Sequence, residues 1–198
     1  MSLIMRRNLM AAKSGEDVYL ECVETDGGCA FLVYSLPDTE SHKIGVELKM
    51  DFVIKNEAVT LTFFGSNRTL TQIWKTGWGN YLKITYWQGS SIGQTVEYLH
   101  GGGIGTVKIY DGEFSVNGER LASFVEKGDT YADYSVFATP NGGNKALAGT
   151  KLYWVKIWDN GTLVRDIVPV KHGGIVCLKD KITDSYIFNF LQGTPIPY

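Results

Sequence analysis

The 198-residue sequence has little of what cross-links or stiffens a chain: three cysteines and five prolines. Cys22, Cys29 and Cys177 cannot all pair within one chain. Cys22 and Cys29 flank the Asp26-Gly27-Gly28 turn and are placed to oppose each other across a hairpin. Their alternating positions fit buried thiols as well, and reduced core cysteines are the reading taken. No CxxC pair and no Cys/His cluster with zinc spacing is present. No apolar run approaches the roughly 20 residues of a membrane helix, so no membrane insertion is expected. There is no basic stripe either. With a formal net charge of −2, a nucleic-acid partner held by phosphate neutralisation is excluded, and a membrane surface is disfavoured for the same reason. Residues 1–13 carry Arg6-Arg7 before Leu9-Met10-Ala11-Ala12, an apolar part shorter than the roughly 7 residues of a secretory core, so no signal peptide is read.

What is abundant is aromatic and turn-forming. Aromatic residues make up 13% of the chain and glycine occurs twenty-three times, a profile of many short strands joined by tight turns. The clearest stretch is 151–170, KLYWVKIWDNGTLVRDIVPV. Its first half mixes β-branched and aromatic residues, Asp159-Asn160-Gly161 supplies the residue types that accept positive φ, and 164–168 returns beside 153–157. That pattern predicts a hairpin. Arg165 and Asp166 mark a solvated or ion-paired stretch on the returning strand. Trp154 and Trp158 have parity opposite to Val155 and Ile157, which predicts a second layer or an aromatic platform on the other face.

In residues 45–54, Val46, Leu48, Met50, Phe52 and Ile54 alternate with Glu47, Lys49 and Asp51, placing the first set in the core. Residues 59–64 repeat the pattern, with Gly65-Ser66-Asn67 as the following turn. In 81–87, Leu82, Ile84 and Tyr86 share one face and Tyr81, Lys83, Thr85 and Trp87 the other. Strands are also expected at 95–99, at 107–110 and 113–116 around Asp111-Gly112, beyond Asn117-Gly118, and at 134–138. The likeness of 108–112 to 156–161 reads as recurring hairpin grammar, because no longer repeat accompanies it. Ten to thirteen strands and no long helix predict an all-β, two-sheet antiparallel β-sandwich of jelly-roll type. Residues 1–16 are expected to form a lead-in, helical or disordered, and 17–198 a single domain.

Most apparent catalytic patterns have a structural explanation. Gly89-Ser90-Ser91-Ile92-Gly93 fits G-x-S-x-G and His100-Gly101-Gly102-Gly103 fits an oxyanion loop. A nucleophile elbow, however, joins a strand to a helix and follows its oxyanion loop, so these are turn glycines. Gly101 to Gly105 lacks the Lys-Ser/Thr and the helix of a phosphate cradle. Glu47 and Asp51 are four residues apart with Lys49 between them, which suits surface ion pairing better than an acid and a nucleophile. Asp38, Asp129, Asp133 and Asn141 leave calcium open, but no D-x-D-x-D-G loop is present, so no cofactor is assigned. His42, His100 and His172 are scattered and receive no role. Asn67-Arg68-Thr69 and Asn160-Gly161-Thr162 are sequons by pattern, the second better read as the turn.

The ligand candidates are aromatic. Trp74, Trp78, Tyr81 and Trp87 cluster in 74–88, where Gly77 and Gly79 let the backbone turn around Trp78. A loop tryptophan offers a flat face to the C–H side of a sugar ring, while Asn80 and Gln88 offer hydrogen bonds to hydroxyls. The competing reading puts these rings between the sheets, and for Trp74 that reading is preferred.

The hairpin words K-I-W-D-N-G-T-L-V-R-D, followed by an aliphatic pair and Pro-Val, resemble the closing hairpin of concanavalin A-like lectin/glucanase (LamG-type) domains of phage, prophage and gut-bacterial surface proteins. Residues 177–183 and 186–190, the opening strand 18–28 and residues 107–122 extend the resemblance. Cys29-Ala30-Phe31-Leu32-Val33 departs from the family's Gln-Tyr-Ile-Asp-Thr. The resemblance implies a concanavalin A-like jelly roll and a non-catalytic carbohydrate-binding or adhesion module whose partner is a glycan or glycoconjugate, on a virion or bacterial surface. The alternatives are a structural, homo-oligomer-forming component of such an assembly and an atypical glycoside hydrolase. The E-x-D-x-x-E motif of the family's glucanases is missing, so no enzyme is expected.

Overall fold

The computed structural model describes residues 16–37, 40–66, 71–88, 91–99, 101–126, 128 and 132–198. In chain order the strands are β1 (Asp17–Tyr19), β2 (Val23–Glu24), β3 (Phe31–Ser35), β4 (Ile44–Phe52), β5 (Leu61–Ser66), β6 (Thr71–Lys75), β7 (Tyr81–Gln88), β8 (Ser91–Leu99), β9 (Gly103–Tyr110), β10 (Glu113–Val116), β11 (Glu119–Ser123), β12 (Asp133–Val136), β13 (Lys151–Asp159), β14 (Thr162–His172), β15 (Ile175–Asp180), β16 (Ser185–Ile187) and β17 (Ile196–Pro197). The larger, eleven-stranded sheet runs β11-β10-β9-β4-β13-β14-β15-β16, with β1 added to β14, β2 to β13 and β17 to β2. The smaller, six-stranded sheet runs β3-β12-β5-β6-β7-β8. Both sheets are antiparallel, and they pack face to face as an all-β sandwich.

The alternation in β4 decides its place. Val46, Leu48, Met50 and Phe52 are buried while Glu47, Lys49 and Asp51 on the other face are half-buried, the period-two signature of a strand with one face on a core. From the opposite sheet come Phe63, Phe64, Ile73, Leu82, Ile84 and Tyr134. The two sets meet in contacts such as the edge-on pair Phe52–Phe63, 5.1 Å between ring centroids. Each such fully buried side chain contributes about 1.5–3 kcal/mol of hydrophobic stabilisation.

The turn chemistry sets the registers. Asn160 and Gly161 have φ of 48° and 81°, both positive as a two-residue I′ turn demands. The turn is tied to β4's entry by Asn160 N–H donating to Lys43 O and Lys43 N–H donating to Asn160 Oδ1, each at 3.0 Å. Asp111-Gly112 and Asn117-Gly118 repeat the same pair of positive φ angles. The likeness between 108–112 and 156–161 now has a geometric cause. β9 and β13 lie on either side of β4, so Lys108 and Lys156 both pair with Glu47, and Ile109 and Ile157 both pair with Val46. Similar surroundings select similar residues.

The cysteine reading agrees with the structure: Cys22, Cys29 and Cys177 are free and buried. Burial pushes the thiols of Cys29 and Cys177 up to about 11 and raises that of Cys22.

Several expectations need correction. Gly65 and Ser66 are not a turn but the end of β5. β14 extends beyond the expected 164–168, running from Thr162 to His172, and Pro169 O accepts from Leu20 N–H at 3.1 Å. Ser91-Ile92-Gly93 and Gly103–Gly105 lie within β8 and β9 rather than in turns. The number of strands exceeds ten to thirteen because β1, β2, β16 and β17 are only two or three residues long, too short to show a period. His42 and His172, given no role, anchor carboxylates. His42 Nδ1 lies 2.7 Å from Asp159 Oδ2, which also receives Tyr34 O–H at 2.7 Å, so the two sheets are linked by a polar bridge. His172 Nδ1 lies 2.8 Å from Asp17 Oδ1. Readings placed on Asp38, Asn67, Gly89, Ser90, His100 and Asp129 fall outside the described residues, as do residues 1–15.

Candidate functional site: a hydroxyl-lined groove

The six-stranded sheet turns Ile73, Leu82 and Ile84 inward, so the alternate residues of β5, β6 and β7 face away from the core. Register places them in two rows across the sheet. One is Thr62, Trp74, Lys83 and Glu97; the other is Gly65, Gln72, Thr85 and Thr95. Together with the 139–144 loop they form a groove of about 410 Å³, whose described walls are Thr60, Thr62, Ser66, Gln72, Trp74, Thr85, Thr95, Thr139, Asn141, Gly143 and Asn144.

The groove wall is a single indole among hydroxyls and amides. Trp74 Nε1–H donates to Thr85 Oγ1 at 2.9 Å, and Thr85 Oγ1 lies 3.0 Å from Thr95 Oγ1. The ring is therefore held in one orientation before any ligand arrives. Gly65 is where the floor needs a missing side chain, since a Cβ there would lie 3.0 Å from Thr62 Cγ2 and 3.3 Å from Gln72 Cγ. At the rim, Lys83 Nζ sits 5.7 Å from the Trp74 ring and 5.9 Å from that of Tyr81, and is paired with Glu97 at 2.7 Å.

The loop wall is built on an unusual backbone. Phe137, fully buried, has φ of 68°, a left-handed conformation that costs a bulky L residue about 1–2 kcal/mol. It is held there by Phe137 N–H donating to Phe63 O at 2.9 Å and by Ala146 N–H donating to Phe137 O at 2.7 Å. Asn144 O accepts from Thr62 N–H at 2.7 Å and stitches the loop to β5. Thr139 bonds Asn141 and, at 2.9 Å, Gly143 O. The segment that follows carries Asn141 and Asn144, which line the groove.

Among the predicted ligand residues, Trp74 is half-buried on the outer face and not between the sheets, which corrects the preferred reading. Parity of the strand decides this: Ile73 takes the core position. Tyr81 is half-buried on the same face as Lys83, its ring packed where a Cβ at Gly79 would come within 2.4 Å of its Cε1. Trp78 is 68% exposed at the β6–β7 turn, where Gly77 and Gly79 have φ of 68° and 111°, and Asn80 is exposed beside it. This turn is braced. The buried Lys75 Nζ donates to Glu57 O at 2.6 Å and Gly77 O at 2.7 Å, and Gly79 N–H donates to Asn56 Oδ1 at 2.7 Å. Trp87 and Gln88 belong to β7; their side chains lie outside the described ones. Thr62, Gln72, Thr85 and Asn144 were not singled out from the sequence, and Asn141 was named only as a loop oxygen for calcium. The available signal was the polar parity opposite Ile73 and Ile84, which strand-forming threonine disguises as ordinary β propensity.

The described groove walls carry no Asp or Glu, so the carboxylate pair that glycoside hydrolysis needs is not on them. Among the described residues no group of three or more His, Cys, Asp or Glu is placed to hold a metal ion, and no helix is long and apolar enough to cross a membrane. No protein-family model matches the chain, and no curated protein matches it.

Proposed function

We propose that the chain is a non-catalytic carbohydrate-binding or adhesion module of concanavalin A-like type, with glycan lying in the groove of the six-stranded sheet. The observation that carries this reading is the composition of that groove: one indole fixed by its own N–H bond, surrounded by threonine hydroxyls and side-chain amides without a charged group among its described walls. A sugar ring needs an apolar face for its C–H side and short-range donors and acceptors for its hydroxyls, and this surface offers both. The resemblance of residues 151–170 to the closing hairpin of concanavalin A-like domains supports the same reading, as does the sandwich architecture. A virion or bacterial-surface setting follows from the resemblance alone.

The test is a glycan array probed with the wild-type protein and with Trp74→Ala, alongside thermal melts. Binding lost in the variant while its melt remains cooperative supports the proposal. Silence of the wild type across neutral glycans, with a stable oligomer in solution, supports a structural component of a larger assembly instead.

A further inference from the structure

We propose a second binding site, on the larger sheet, that takes a single neutral sugar residue. At the end where β9 and β13 run into their turns, a cavity of about 310 Å³ opens between Lys43, Tyr110, Asp111, Glu126, Trp158 and Asn160. Its size is at the small end for ligand pockets, suited to one ring rather than a chain.

The apolar wall is built by sequence. Tyr110 and Trp158 occupy matching positions on the two strands flanking β4, and their ring centroids are 4.9 Å apart. Gly45 lies between them, where a Cβ would come within 2.6 Å of Tyr110 Cδ2, so the rings close over bare backbone. Both are half-buried, leaving an aromatic corner open to the cavity.

The lining is mixed in charge. Lys108 Nζ lies 5.0 Å from the Tyr110 centroid and 5.6 Å from that of Trp158 and already takes the cation position over the rings, while Lys43, Asp111 and Glu126 line the cavity together. With both signs present the lining has no excess of one charge to hold an ion, and a neutral polyhydroxylated molecule can use both kinds of group. Its hydroxyls can donate to the two carboxylates and accept from Lys43, while a C–H face rests on Trp158. Glu126 Oε1 accepts Gly112 N–H at 3.3 Å, which leaves Oε2 for the ligand. Asn160 Oδ1 is committed to Lys43 N–H, which leaves its amide nitrogen as a donor.

This site does not depend on the groove, because the two lie on different sheets. If both fill, one chain bridges two glycans.

The test uses ¹⁵N-labelled full-length protein titrated with the methyl glycosides of glucose, galactose, mannose and N-acetylglucosamine to about 50 mM, enough to fill sites with dissociation constants of about 1 mM. At least one glycoside is expected to shift the Trp158 indole N–H and the Gly161 amide saturably. Asp111→Asn should weaken that binding roughly tenfold or more. The substitution keeps the turn, since Asn accepts the positive φ of position 111 as readily as Asp. Trp74→Ala should leave the Trp158 response intact. The proposal is overturned if no glycoside moves Trp158, or if shifts survive Asp111→Asn unchanged. Shifts confined to Trp74 would overturn this site while leaving the groove reading standing.

Discussion

Trp74 Nε1 donates to Thr85 Oγ1 at 2.9 Å across β6 and β7, so the only indole on the groove's described walls is fixed by the neighbouring strand and not by a ligand. Ring position is then set before binding, and little rotamer entropy remains to be lost when a sugar stacks on it. Replacing Thr85 with Val removes the acceptor at nearly constant volume. The expected result is a loss of about 1 kcal/mol in stability and a several-fold weaker glycan affinity. Titration calorimetry and urea melts on the same variant separate the two. An unchanged affinity would show that the bond does not position the ring.

Trp78 should behave differently. It is 68% exposed on a turn braced by Lys75 and Asn56, so Trp78→Ala is expected to change stability by no more than about 0.5 kcal/mol. Affinity should fall for longer oligosaccharides that reach past Tyr81 and remain for short ones. A clear drop in melting temperature would place the ring in packing that its exposure does not suggest.

The three thiols predict a chemical silence. Burial holds Cys29 and Cys177 at about 11 and raises Cys22, so almost no thiolate is present at neutral pH. A thiol-specific disulfide reagent should react with none of them in the folded protein and with all three in denaturant. Rapid reaction of one thiol under native conditions would contradict the packing described for it.

Acid should loosen the strand β1. Hydrogen bonds from Lys179, then from Tyr186 and the His172 ring, hold the Asp17 carboxyl well below its ordinary 3.8. A group whose folded value is depressed contributes stability that is present above its unfolded value and lost as pH falls toward the folded one. Wild type and Asp17→Asn should therefore differ in urea midpoint at pH 7, and the difference should shrink by pH 3. A difference that does not change with pH would show that the charge of Asp17 is not what holds the strand. The same cluster raises Lys179, so its contribution is present below the ordinary lysine value and lost only as pH rises beyond it.

The turn at Asn160-Gly161 gives a backbone test. Gly161 has φ of 81°, which a β-branched residue adopts only with strain, so Gly161→Val should destabilise by about 1–2 kcal/mol. An unchanged melting temperature would show that the turn relaxes.

The sandwich was legible because its signals are local. Val46 to Phe52 alternate over seven residues, and Asn160-Gly161, Asp111-Gly112 and Asn117-Gly118 announce their turns by residue type alone. Gly65 and Ser66 misled for the same reason: turn-forming by composition, they are held in β5 by pairing with β6 and β12, a long-range effect. The groove was only half legible. Trp74 and Tyr81 stood out as aromatics, but which face Trp74 takes depends on Ile73 filling the core. The threonines of the groove carry no mark separating a groove-facing hydroxyl from an ordinary strand residue. Residues 140–144 read as a Gly- and Asn-rich loop, but its place as the groove's outer wall could not be read, because it depends on Phe137 taking a positive φ that no residue-type rule anticipates.

The most direct measurement is the indole N–H signal of Trp74, assigned by Trp74→Phe, followed in ¹H–¹⁵N spectra while a neutral oligosaccharide that binds on the array is titrated in. The account predicts that this signal shifts saturably, with a dissociation constant matching calorimetry, and that Thr85→Val changes both its starting position and the affinity. A glycan that binds tightly while the Trp74 signal stays fixed would contradict the assignment of the groove as the binding site.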